Sequence, residues 1–256
     1  MSTGNRPDRR RIIKGGLGTA AALVLGGCEP LSDRPWVLNV LGAAETLNYR
    51  IQRLLLPRDR LAPEFSESEL SAYFKPNGTS DPEDEEYQTL AKNNFAEWRL
   101  MVDGLVERPA RLSLKELREM PARSQITRHD CVEGWSCIGK WKGVPLRALL
   151  ERAGISPRVR YIVLHCADSM EPGAKYYESI DLIDAMHPQT ILAYEMNDQP
   201  LPIPHGAPVR LRVERQLGYK MAKYVMRIEA VESFSHIGAG KGGYWEDRGY
   251  DWYAGI

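Results

Sequence analysis

The chain offers chemistry first at Cys131, in the run His129-Asp130-Cys131-Val132-Glu133-Gly134-Trp135-Ser136. A thiolate is a soft ligand, suited to a metal already held by sulfur. Arg128, His129, Lys140 and Lys142 lie close enough in sequence to favour the thiolate form. Glu133, two residues on, would repel an anion or pass a proton if it faces the same site, and otherwise is a solvated loop glutamate. A second group follows about 75 residues later: Pro204-His205-Gly206-Ala207-Pro208-Val209-Arg210, then Gly218-Tyr219-Lys220. Arg210 offers paired donors and Lys220 a point charge, which suits a phosphate. Gly206 and Gly218 let backbone N–H groups approach it closely. Taken singly, Arg210 reads as a strand cation and His205 as a turn residue. Their joint occurrence favours the phosphate reading.

The elements that must position these residues follow from pattern. Ser124 to Arg128 reads as a strand delivering Cys131 to a loop, Val132 to Lys142. Trp98 to Val102 alternates like a strand and meets an Asp103-Gly104 turn, with Leu105-Val106 returning. Ser113-Leu114-Lys115-Glu116 has capping-box form and opens a helix that ends before Pro121. Pro145 opens a helix over Leu146 to Ala153, with Gly154 at its C-terminal cap. Val159 to Cys166, Thr190 to Glu195, Val209 to Val213 and Tyr224 to Val231 read as strands. Short helices among such strands predict an α+β fold with a substantial β core.

Upstream the pattern differs. Residues 28 to 90 are rich in Pro, Asp, Glu and Arg and are expected to wrap the domain formed by 91–256. Thr46 to Leu56 has helical apolar spacing, and Ser66-Glu67-Ser68-Glu69 is another capping box. Residues 1–27 carry five cationic side chains and one Asp; without them the chain has 29 basic and 33 acidic residues, a net charge near −4. An acidic domain of this kind gives no reason to expect nucleic acid as a partner. Arg9-Arg10-Arg11-Ile12-Ile13-Lys14 precedes 13 weakly apolar residues, too few for a bilayer span of ~20. This layout resembles a twin-arginine export signal. Leu25-Gly26-Gly27-Cys28 resembles a lipobox, so Cys28 is either a lipid anchor to the membrane or incidental to cleavage nearby. The expected location is periplasmic, or anchored on the outer side of the cytoplasmic membrane.

Four cysteines occur, at 28, 131, 137 and 166, and none forms a Cys-x-x-Cys. That excludes the spacing of a zinc ribbon, a thioredoxin-like site or c-type haem attachment. A Cys131 disulfide to Cys137 or Cys166 remains open beside the metal-ligand reading. The C-terminal stretch from Lys241 to Tyr253 is dense in aromatics, and surface packing is its expected use, with pocket lining or binding of a redox partner as the alternatives.

The segment from Cys131 to Ser136, continued by Trp141-x-Gly143-Val144-Pro145-Leu146, resembles the metal-binding loop of the sulfite-oxidase superfamily. It is closest to the branch of periplasmic methionine-sulfoxide reductase catalytic subunits. Residues 201–210 with 218–224 resemble that family's pterin-phosphate segment, and Asn93-Asn94-Phe95-x-Glu97 its N-terminal cofactor contact. Together they cover roughly residues 91–235. The resemblance implies molybdenum with molybdopterin, Cys131 on the metal, and Asn93, Ala96, Glu97, Cys166, His205, Arg210, Gly218, Tyr219 and Lys220 in contact with the cofactor. A buried thiol is the alternative reading of Cys166. The expected activity is two-electron oxygen-atom transfer, reduction of an S-oxide or N-oxide ahead of sulfite oxidation, with a non-catalytic surface lipoprotein as the competing class. Ala96 replaces an aromatic residue of that branch, and His205 an amide. Both departures leave the substrate open. A Glu133 carboxylate ~5 Å from an anionic substrate would cost about 3 kcal/mol at an effective dielectric of ~20, which favours a neutral oxide. No haem motif is present, so a separate electron-transfer partner is expected. The chain lacks the length for the dimerisation domain of sulfite oxidases proper, and a monomer is expected.

Overall fold

The computed structural model describes residues 34–55 and 57–256; the twin-arginine and lipobox motifs lie outside the described residues. It comprises two units, one ending at Gln52 and one running from Arg53 to Ile256. Helix α1, Pro35–Leu55, contains all the described residues of the first unit but Arg34. It extends well upstream of the helix expected from Thr46.

The second unit is α+β and β-rich, as expected. One five-stranded sheet has the order β2 (Ala110–Ser113), β1 (Arg99–Gly104), β10 (Val225–Val231), β5 (Tyr161–Glu171), β6 (Ala174–Asp181). The other runs β3 (Arg123–Asp130), β4 (Ser136–Pro145), β7 (Ile191–Met196), β8 (Gln199–Pro200), with β9 (Arg210–Arg212) also paired to β7. β1 lies parallel to β10, with Val102 opposite Ile228, while its other edge takes β2 antiparallel.

Four short helices complete the unit: α2 (Glu85–Lys92), α3 (Leu114–Glu119), α4 (Leu146–Ala153) and α5 (Leu182–Ala185). α3 opens on the expected capping box, Ser113 accepting from Glu116 N and Glu116 from Ser113 N. α4 buries Leu146, Leu149, Leu150 and Ala153, one stripe at helical spacing, and ends at left-handed Gly154. That stripe joins a core that draws Leu100 and Val102 from β1, Ile162 and Leu164 from β5, Leu192 from β7 and Leu211 from β9. One apolar cluster therefore fixes both sheets, and with them the strand ends that carry the site.

Three expectations need correction. Leu105-Val106 does not return along β1; Leu105 N bonds Ala230 O, and the returning strand is β2. Val132 to Lys142 is not a loop throughout, because β4 begins at Ser136 and pairs His129 with Cys137. β6 was absent from the sequence reading: Ala174 to Asp181 is buried on both faces beyond Lys175, so it has no alternation to read.

Candidate active site

β3 ends at Asp130 and hands the chain to a tight turn in which Cys131 N bonds Trp135 O and Gly134 N bonds Cys131 O. Gly134 sits at φ +85°, a conformation that side chains resist, so the glycine makes this turn possible. The result holds Cys131 rigidly, 9% exposed, on the wall of a cavity of about 300 Å³. Glu133, Gly218, Tyr219, Asp168 and Lys223 line the same cavity. Cys131, Cys137 and Cys166 are all free thiols, so neither disulfide considered from the sequence forms. Burial pushes the Cys131 thiol up, against the Glu133 backbone N–H; the Glu133 carboxylate adds to the rise and Lys75 opposes it. The cations expected to favour a thiolate are engaged elsewhere: Lys140 with Glu67 and Asp198, Lys142 with Glu195, Arg128 with Asp130.

Glu133 is half-exposed at the cavity rim. Its carboxylate accepts from Trp135 Nε1 at 2.9 Å and from Lys75 Nζ at 3.3 Å, and both hold its pKa below the usual range. Asp168, on β5, is the opposite case. It is buried, its Oδ1 has no protein partner, and burial lifts it to about 6 against the pull of Lys223. Sequence reasoning missed Asp168, because a lone Asp within a strand gives no signal until burial is known.

Beneath the cavity lies a cationic cluster. Arg210 is fully buried on β9 and packs over Trp141, its carbon 5.1 Å from the ring centroid. It donates to His205 O at 3.0 Å and to Met221 O at 3.3 Å, and its Nε has no partner. Burial, with Arg212 beside it, pulls Arg210 down to about 9. Lys223 donates to the Thr79 and Pro204 carbonyls and is drawn down to about 7 by burial and by Arg210. His205 falls to about 4 for the same reasons. Arg212 is neutralised by Glu214 at 2.6 Å and donates to His129 Nδ1; burial first, then Arg212 and Arg210, hold that imidazole's pKa well below the usual range. Gly218 packs so closely on the His129 ring that a Cβ there would collide with it.

The remaining expected residues are dispersed. Glu97 and Cys166 line a second cavity, of about 420 Å³, together with Arg99 and Arg227. Asn93 caps α2, its Oδ1 buried without a partner and its Nδ2 3.5 Å from Glu97. Ala96 borders a separate shallow hollow beside Phe95. β5 links the two cavities, giving Cys166 to one and Asp168 to the other. Lys220 lines neither. Its ammonium is fully buried between Glu178, at 2.5 Å, and Glu246. In the aromatic tail Trp245 and Tyr250 stack on each other at 5.1 Å and also line the Cys131 cavity, the pocket-lining use considered for it.

The match of this chain to known proteins agrees with this geometry. Residues 87–236 match the family model described as oxidoreductase molybdopterin binding domain. A relative from Azospira oryzae, named a putative protein-methionine-sulfoxide reductase subunit YedZ1, is 37% identical over 97% of this chain and 88% of its own length. The protein-methionine-sulfoxide reductase catalytic subunit MsrP of Xanthomonas campestris is 39% identical over 53% of this chain and 45% of its own length. The crystal structure of the sulfane dehydrogenase SoxCD from Paracoccus pantotrophus superposes with a TM-score of 0.49 at 25% identity, over 54% of this chain and 39% of that one.

The residues present fit such a cofactor. Among the described residues Arg210 and Lys223 are buried cations without a carboxylate in ion-pair contact, an environment that suits an anionic phosphate. Asp168 Oδ1 and Arg210 Nε are buried polar atoms still lacking partners. Cys131 supplies a free thiol at the cavity wall. When bound, molybdenum in its pterin dithiolene supplies two-electron redox chemistry. The chain is a molybdenum-dependent oxidoreductase, a member of the oxidoreductase molybdopterin-binding family of the sulfite-oxidase superfamily.

Proposed function

We propose that this enzyme reduces an uncharged organic S-oxide, with Cys131 as the protein ligand to molybdenum. The observation that carries the substrate choice is Glu133, whose pKa is held low beside Cys131 on the cavity wall. Its carboxylate, offset in part by Lys75, puts negative charge at the entrance, which disfavours an oxyanion such as sulfite and leaves a neutral sulfoxide unaffected. The names of the relatives, protein-methionine-sulfoxide reductase subunits, support the same substrate class. Asn93, Ala96, Glu97, Cys166, His205, Arg210 and Gly218 to Lys220 remain the proposed cofactor contacts by motif. Lys220 acts there through its backbone, because its ammonium is taken by Glu178 and Glu246.

Reduction of a sulfoxide to a thioether and water consumes two electrons and two protons, so a separate electron-transfer protein belongs to the system. We place the enzyme outside the cytoplasmic membrane on the twin-arginine-like motif at Arg9-Arg10-Arg11. The test is protein produced with its cofactor pathway intact, assayed with a reduced dye against sulfoxides, N-oxides and, in the reverse direction, sulfite. Near-stoichiometric molybdenum and sulfoxide turnover are expected, both sulfoxide turnover and the metal–thiolate signature being lost in Cys131→Ser. Faster turnover of sulfite than of any sulfoxide would overturn the substrate reading.

A further inference from the structure

Helix α1 carries a feature that the site does not use. Trp36, Val40, Leu47, Ile51 and Leu54 are all exposed, Trp36 at 62% and Leu54 at 83%. At 100° per residue these five positions fall within an arc of roughly 60°, and the stripe runs along about 30 Å of helix. Ala43 and Ala44 lie between its upper and lower halves, so nothing bulky or charged interrupts it. Glu45, Asn48 and Gln52 lie off the stripe, where Gln52 donates to Asn48 at 3.2 Å. Arg50, exposed, flanks the stripe. Large side chains in one continuous exposed row mark a contact surface rather than chance exposure.

The chain before the helix identifies the occupant. Cys28, in lipobox-like context, lies seven residues ahead of Pro35, a reach of at most ~25 Å even fully extended. A lipid on Cys28 would hold the stripe at the bilayer surface. Glu45, Asn48 and Arg50 within its length suit a helix lying in the interface rather than crossing it, with Trp36 at headgroup level and Arg50 beside anionic lipid. We infer that α1 is an interfacial membrane helix, whose apolar stripe binds the lipid surface as a second anchor beside Cys28. A single acyl chain binds only marginally, and a second apolar contact makes such anchoring stable.

The inference rests on the export reading, but its test does not. The full-length holoenzyme carrying Cys28→Ser, purified without lipid, is floated with vesicles of phosphatidylethanolamine and phosphatidylglycerol. It is expected to co-float, and the added triple change Leu47→Ser, Ile51→Ser, Leu54→Ser should weaken partitioning at least tenfold with molybdenum content and soluble turnover unchanged. Arg50→Glu should weaken it only when phosphatidylglycerol is present. The Trp36 contribution to fluorescence, isolated by difference from Trp36→Phe, should shift to the blue and be quenched by brominated lipid. Failure of the Cys28→Ser protein to float, or floating unaffected by the triple change, would overturn the proposal. So would binding only to vesicles that also contain a membrane protein, which would identify a protein partner on this face.

Discussion

Lys220 and Lys223 stand three residues apart, both buried, and the structure treats them in opposite ways. Lys220 is enclosed by two carboxylates, which outweigh the effect of burial and raise its pKa. Lys223 donates to backbone carbonyls, and burial with the neighbouring Arg210 outweighs the pull of Asp168, so its pKa falls to about 7. One cation is satisfied by the protein itself and ties the C-terminal tail, through Glu246, to the turn at Gly218. The other, with Arg210, is left in electrostatic deficit that an anionic cofactor would fill. A buried charge completed by the fold serves the fold, whereas one left incomplete marks a ligand site.

The comparison can be broken in several ways. Lys220→Met leaves Glu178 and Glu246 facing each other in the interior, and should cost about 3–5 kcal/mol in denaturant unfolding. Full stability combined with loss of cofactor would instead put Lys220 in the phosphate site.

Lys223→Met should act in the opposite sense on cofactor-free protein. The folded pKa of about 7 lies below the unfolded value of about 10.4, so the burial penalty is complete below pH 7. It fades as pH rises from 7 toward 10. The variant should therefore gain about 2–3 kcal/mol at pH 6 to 7, after allowance for the lost carbonyl contacts, and nothing above about pH 10. Cofactor retention should fall despite that gain.

Asp168→Asn sharpens the comparison from the acid side. The folded pKa of about 6 exceeds the unfolded value of about 3.9, so the ionised carboxylate is penalised above pH 6. The penalty disappears as pH falls through 4. Cofactor-free Asp168→Asn should be about 1–2 kcal/mol more stable than wild type at pH 7 and equal to it at pH 3.5, measured by thermal unfolding.

The smallest effect belongs to Glu133. Its partner Lys75 is as exposed as it is, so Glu133→Gln should change stability by less than about 0.5 kcal/mol. Inhibition by sulfite or sulfate should strengthen by up to about tenfold at low salt, with sulfoxide KM unchanged. Equal inhibition of both proteins would remove the electrostatic gate from the substrate argument.

Much of this was legible in the chain. The Cys131 turn and the capping boxes are local, written in residues that sit within a few positions of one another. The strand at Val225 to Val231 and the α4 stripe followed from periodicity. β6 did not, because a strand buried on both faces has no alternation, and β1 was assigned the wrong partner because parallel pairing with β10 joins residues more than 120 positions apart. Asp168 was invisible because an acid within a strand is ordinary until its surroundings are known. Lys220 was read as a phosphate ligand on its neighbours in sequence, while its actual partners lie 42 and 26 residues away.

The sequence by itself determined the family and the cofactor, and singled out Cys131 as the thiol proposed for the metal, since motif residues and their order carry that chemistry. Only the tertiary structure decided which buried charges are already neutralised and which await a ligand. It also placed Glu133 at the rim and Asp168 in the interior. Charge compensation and desolvation depend on distances between residues remote in sequence, and the fold alone sets those distances.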